Sequence, residues 1–276
     1  MLKSVPRWVW VWSLLFLIAG SLPFVVGYFS AGEHRTFSGV LLNGLDTNSY
    51  LAVMQLGAHG RWLYTMPYTP QDSTPAPLFM VYILLGHAAR LTGLSLPLVF
   101  HLGRIVCGGM FALAAYRFIA RRLPDEAEQR LAFGLLLFTG GIGWIMLLTL
   151  GGHLSSDLRE MPDLTVGDAI SFLAMASNVH FTLNMVLILW MITAGEGFLR
   201  DGSVRGGGQA MIAGVGIAFI HAHQIAVMGV ILAGIIAPTV LRFGFRPAER
   251  IPDQRAQIVR QIGRLLILMG PVTLLA

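Results

Sequence analysis

Charge is what this sequence has least of. Asp, Glu, Lys and Arg together make up 12% of its 276 residues, about half the share usual in soluble domains. That scarcity excludes a soluble globular enzyme and a solvated, disordered tail. Lysine is nearly missing: of the 19 basic residues only Lys3 is a lysine, and the rest are Arg. Cysteine occurs once, as Cys107, so neither an intramolecular disulfide nor a cysteine-based metal cluster is possible. The motifs of soluble enzymes are absent too, with no HExxH, no GxSxG and no calcium-loop spacing. Two glycine clusters, 140–143 and 206–208, follow no strand pattern and so are not phosphate loops. The first reads as close helix packing and the second as a cytoplasmic turn.

What is present is apolar surface. Hydrophobic residues make up 55% of the chain and mean hydropathy is +0.69. An integral membrane protein built of helices is the class that fits, because a backbone in lipid must satisfy its own hydrogen bonds. Full-length apolar runs cover 8–28, 97–120, 131–150 and 180–199. A shorter pair, 209–220 and 225–241, is interrupted by His221-Ala222-His223-Gln224, and the chain ends inside another run, 265–276. The short basic segment before 8–28 predicts an uncleaved signal anchor with a cytoplasmic N-terminus. The formal net charge of +5 fits basic cytoplasmic loops and does not require nucleic acid.

The run 76–93 can be read as a span or as a surface helix, and the positive-inside rule arbitrates. Basic loops lie at 117–130, 200–205 and 242–264. They share the cytoplasmic side with Lys3 and Arg7 only if 76–93 does not cross. Its tail, Gly-His-Ala-Ala-Arg at 86–90, is also polar for lipid, so an interfacial or re-entrant helix on the outer surface is expected. The resulting expectation is an all-α integral membrane protein. It is a multi-span helical bundle of about seven spans, one transmembrane domain over 1–276. A first outer loop covers 30–96 and a second covers 151–179. All eight histidines then fall in outer loops or at outer helix ends.

Candidate site residues follow from position. Asp46, in Gly-Leu-Asp-Thr-Asn-Ser-Tyr, suits the N-cap of a helix beginning at Thr47. Asp72, between prolines, suits a turn. Arg104 lies about eight residues into an apolar run with His101 one turn before it. A cation at that depth is costly without a partner or an aqueous cavity, so it reads either as an anion site or as a structurally paired Arg. The break at His221 and His223 reads either as an anion, metal or acid–base site below the outer surface, or as a hydrogen-bonded turn between short helices.

The order of these features resembles the GT-C-fold membrane glycosyltransferases that use polyprenyl-phosphate sugars. The nearest branch is that of the protein O-mannosyltransferases and the lipid A aminoarabinose transferase. The stretches that carry the likeness are GLDTNSYLAVMQLGAHGRW, DSTPAPLFMVYILLGHAARLTGLSLPLVFHLGR and YRFIARRL. The later layout from NVHFTLNMVLILWMITAGEGFLRDG to GIAFIHAHQIAVMGVILAGI agrees as well. The resemblance implies that Asp46 is the catalytic carboxylate. Asp72, His101, Arg104, His180, His221 and His223 become candidates for holding the substrate. A divalent metal is implied as an optional cofactor, with Asp46, Asp72, His221 and His223 as its candidate ligands. The sequence departs from the family in lacking an acid beside Asp46, in carrying His-Ala-His where Lys-Gly-Pro is common, and in placing Asn178 and His180 where an acid is expected. Family members are longer, so the chain reads as the N-terminal part of such a module.

The function so implied is transfer of a sugar from a polyprenyl-phosphate donor to a lipid, glycan or protein acceptor. The chain would sit in the bacterial cytoplasmic membrane with its active face outward. The alternatives are a membrane transporter or lipid-handling protein, and an inactive truncated membrane scaffold.

Overall fold

The computed structural model describes residues 5–41, 44–66, 68–69, 73–140, 166–167, 170–221, 224–243 and 252–274. Among them the chain is all-helical, with ten helices and no strand. The first unit, Met1–Val186, and the second, Leu187–Ala276, are each compact. In the first unit lie α1 (Arg7–Phe29), α2 (Gly44–Ala58), α3 (Met80–Thr92), α4 (Leu96–Ala120), α5 (Glu126–Phe138) and the short α6 (Ser171–Ala176). The helix α7 (Val179–Asp201) begins in the first unit and ends in the second. There it is followed by α8 (Val204–His221), α9 (Gln224–Phe243) and α10 (Pro252–Thr273).

Three helices, α1, α4 and α7, are long and apolar enough to cross a membrane. At 23, 25 and 23 residues they extend about 35 Å or more, against a hydrocarbon core of roughly 30 Å. The burial of α1 is that of a lipid-facing helix. Val9, Ser13, Phe16, Gly20 and Phe24 form one buried stripe at the spacing of a helix face. Val11, Leu14, Leu15, Ile18, Leu22 and Val25 are about half exposed on the remaining surface. Small residues let neighbours close in, as where Met175 fills the space that a Cβ on Gly20 would take.

At 15 and 13 residues, α2 and α3 are about 20 Å long, too short to cross. They cross each other at glycines. A Cβ on Gly57 would lie 2.1 Å from the Ile83 carbonyl oxygen, and one on Gly86 would lie 2.0 Å from that of Met54. Their backbones therefore touch, and Val53, Met54, Tyr82 and Ile83 form a core with Val99, Phe100 and Val179.

The run expected over 131–150 is helical as α5 to Phe138, and 141–150 lie outside the described residues. That helix starts at Asp125, whose carboxylate accepts from the amides of Ala127 and Glu128 at 2.9 and 3.0 Å, an N-cap in a chain with few charges to place. Within the second unit the cluster 206–208 is not a turn. It forms the first turns of α8, because a Cβ on Gly206 would meet the Ala194 carbonyl oxygen at 2.8 Å and one on Gly207 the Phe198 ring at 2.9 Å. Glycine here serves close contact with α7. The turn falls instead at Gly202, which has φ +74°. The helix α8 is accordingly 18 residues long, longer than the expected 209–220. It ends at His221 and α9 begins at Gln224, the two edges of the interruption expected from the sequence.

Candidate functional site

The first turn of α2 starts at Gly44, two residues before the position expected for a cap at Asp46. Asp46 therefore sits inside the first turn rather than before it, and it is exposed. Its carboxylate there is favoured by the positive end of the helix dipole. The next residue turns inward. Thr47 is 2% exposed, and its hydroxyl donates to Asn178 Oδ1 at 3.1 Å. Asn178 stands just before α7 and is fully buried, and its amide nitrogen has no partner among the described residues.

One turn further along α2, Tyr50 stacks on Tyr82 of α3 with ring centroids 4.3 Å apart and planes 7° from parallel. The hydroxyl of Tyr82 is 2.6 Å from His180 Nδ1 at the start of α7, and the His180 ring meets Tyr50 edge-on at 4.9 Å. A phenol both donates and accepts, so either histidine tautomer completes the bond. Tyr82 is fully buried, and its pKa is raised well above the usual value near 10. Burial is the main cause; Tyr50 adds to it, and Cys107 and the charge of Asp46 contribute less. Burial thus keeps the phenol protonated, with its hydroxyl on the His180 imidazole.

A second group forms around Phe24. Arg104 is 1% exposed. Its Nη1 donates to the carbonyls of Gly20 at 3.0 Å and Met175 at 2.8 Å, tying α4 to α1 and α6. Its guanidinium lies 4.2 Å from the centre of the Phe24 ring, while its buried Nε has no partner among the described residues. His101, one turn earlier, packs on the same ring at 4.7 Å, and its Nε2 is 3.0 Å from the Gly39 carbonyl oxygen. Main-chain carbonyls rather than an acid are thus the oxygen partners of the buried cation among the described residues, and they meet Nη1 only.

Of the residues singled out from sequence, His180 meets Tyr82, Asp46 stands beside Thr47 in the first turn of α2, and His101 and Arg104 meet at Phe24. His221 ends α8 in the second unit. Asp72, His223 and residues 151–165 and 168–169 of the second expected outer loop lie outside the described residues. No group of three His, Cys, Asp or Glu side chains poised to hold a metal ion occurs among the described residues. Sequence reasoning missed Tyr82, which sits in the apolar stretch Met-Val-Tyr-Ile-Leu-Leu. The one available signal was the hydroxyl itself, which needs a partner once buried. No family model, no curated protein and no solved structure matches the chain.

Proposed function

We propose that the chain is a membrane glycosyltransferase of GT-C type, part of a bundle of about seven spans. On this reading it moves a sugar from a polyprenyl-phosphate donor to an acceptor on the outer face of a bacterial cytoplasmic membrane. The observation that carries this is the setting of Asp46. Its exposed carboxylate heads a helix too short to cross the membrane, beside a polar cluster of Thr47, Asn178, Tyr82 and His180. The chain leaves α1 and re-enters at α4, so α2 and α3 lie on one membrane side. The bonds from Thr47 to Asn178 and from Tyr82 to His180 bring the start of α7 to that side as well. The segment between the end of α4 and the start of α7 must then recross, which supports a further span beginning in α5. With the N-terminus cytoplasmic, Arg121 and Arg122 fall inside and Asp46 outside, in keeping with the positive-inside bias.

In this reaction Asp46 accepts the proton of the acceptor hydroxyl as its oxygen attacks the anomeric carbon. The bond from that carbon to the phosphate oxygen breaks, and the electron pair leaves with the polyprenyl phosphate. The phosphate needs charge stabilisation more than protonation. The bond from Tyr82 to His180 ties the start of α7 to α3, and the bond from Thr47 to Asn178 ties it to the first turn of α2, which positions Asp46.

The test is sugar transfer against donor concentration for Asp46→Asn and Arg104→Gln. Asparagine keeps the size of Asp46, and loss of charge in a first turn costs only about 0.3–1 kcal/mol. Removal of a general base slows turnover about 10²–10⁴-fold, so Asp46→Asn should lose transfer while remaining folded. Arg104→Gln should lower stability through its two carbonyl bonds, and should raise the donor KM only if the guanidinium also meets the phosphate. Undiminished turnover by Asp46→Asn would refute the assignment.

A further inference from the structure

The far end of α2 carries a basic cleft that the proposed chemistry does not use. After α2 the chain turns at Gly60, whose φ is +87°. Gln55, His59 and Arg61, with Ala52 and Leu56, line a cavity of about 540 Å³. Arg90, in the last turn of α3, lays its guanidinium over Gly60. A Cβ there would lie 2.4 Å from Arg90 Nη1, so the glycine serves both the turn and the approach of the second arginine.

The surrounding bonds hold this group in place. Arg61 Nη1 donates to Thr65 Oγ1 at 3.0 Å. His59 Nδ1 is 2.7 Å from the Gln55 carbonyl oxygen, which leaves Nε2 for a ligand. His87 Nε2 is 3.1 Å from the Arg61 carbonyl oxygen, and its ring stacks on Trp62 at 4.1 Å. Among the described residues the ion pairs are Arg130 with Glu126 and Arg200 with Glu196, so neither Arg61 nor Arg90 is neutralised by an acid there. Large apolar side chains adjoin the arginines in sequence and stand in the open. Trp62 is 59% exposed and Leu91 86%. Basic groups beside an exposed indole and aliphatic carbons suit the boundary between water and lipid. Two helices that lie between membrane spans without crossing would be found at that boundary.

We propose that this cleft binds the phosphodiester headgroup of an anionic membrane lipid. Arg61 and Arg90 meet the phosphate oxygens, His59 stands at the rim, and Trp62 and Leu91 lie against the upper acyl carbons. Planar guanidinium groups match phosphate oxygens in pairs. The site is independent of the glycosyl-transfer reading and would stand if that reading failed.

Native mass spectrometry of the full chain in detergent micelles, titrated with phosphatidylglycerol or phosphatidylcholine, tests it. Each basic residue at a membrane surface contributes about fivefold in affinity for an anionic lipid. Arg61→Gln/Arg90→Gln should bind phosphatidylglycerol about 30-fold more weakly than wild type, with a much smaller loss for phosphatidylcholine, whose choline cation offsets the phosphate charge. Arg61→Lys/Arg90→Lys should keep most of the preference. The single variant Arg90→Gln, exposed and without a hydrogen bond or ion pair to lose among the described residues, should show the effect at about fivefold even if the double variant fails to fold. Equal phosphatidylglycerol affinity in wild type and Arg90→Gln overturns the site. Displacement of the lipid by millimolar inorganic phosphate would assign the cleft to a soluble phosphate compound and overturn the lipid assignment.

Discussion

Gly86→Ala gives the sharpest test of how the Asp46 region is held. The added Cβ would lie 2.0 Å from the Met54 carbonyl oxygen and 2.9 Å from the Ala58 amide nitrogen. An ordinary carbon–oxygen contact is about 3.3 Å or more, so α2 and α3 would have to separate by over about 1 Å. Sliding does not relieve the clash, because Gly57 on the facing helix is just as close to the Ile83 carbonyl oxygen, 2.1 Å from where its Cβ would be. The atoms struck are backbone, not the ends of flexible side chains. Overpacking of this kind costs about 1–3 kcal/mol, and a rigid backbone contact belongs at the upper end. Helix propensity acts the other way, since Gly to Ala inside a helix gains about 1 kcal/mol. The balance is a net loss of about 2 kcal/mol. Separation would also open the Tyr50–Tyr82 stack and stretch the bond from Tyr82 to His180. Denaturant titration in mixed micelles, followed by helical circular dichroism, measures the change. Gly197→Ala in α7 is the matched control, because nothing lies within 4 Å of its added Cβ, so propensity should act alone and raise stability. Gly86→Ala as stable as wild type, or more so, would refute the backbone contact.

Other outcomes follow from the same geometry. Tyr82→Phe should lose about 0.5–1.5 kcal/mol at neutral pH, the net worth of the hydrogen bond to His180. The raised Tyr82 pKa stabilises the fold fully below about pH 10 and is lost as pH climbs from there toward the folded value, because the unfolded chain releases that proton first. The gap in melting temperature between wild type and Tyr82→Phe should therefore be constant below pH 10 and narrow above it. A gap that widens would contradict the burial of the phenol. For topology, Ala127→Cys in a Cys107→Ala background should resist an impermeant thiol reagent applied from outside, while His34→Cys should react. The opposite pattern would reverse the orientation.

Composition and apolar run lengths made the membrane-spanning helices legible, since lipid admits few other backbone arrangements. The boundaries at His221 and Gln224 were readable for the same reason, whereas run length left 76–93 open and the distribution of basic loops set it on the surface; that α2 and α3 are too short to cross came from the structure. The shared face of His101 and Arg104 followed from helical spacing. What spacing could not supply was the partner across a gap in sequence. Arg104 had two open readings from its position, and only the fold brought the carbonyls of Gly20 and Met175 to its guanidinium. The cluster 206–208 looked like a turn because glycine favours turns, but the approach of Phe198 and Ala194 made it helix. Tyr82 passed as one more apolar residue until α7 placed His180 against its hydroxyl. Local sequence fixes where a helix lies and which face is apolar, because those depend on neighbours three or four residues away. Which polar atoms meet depends on helices far apart in the chain, and that only tertiary packing decides.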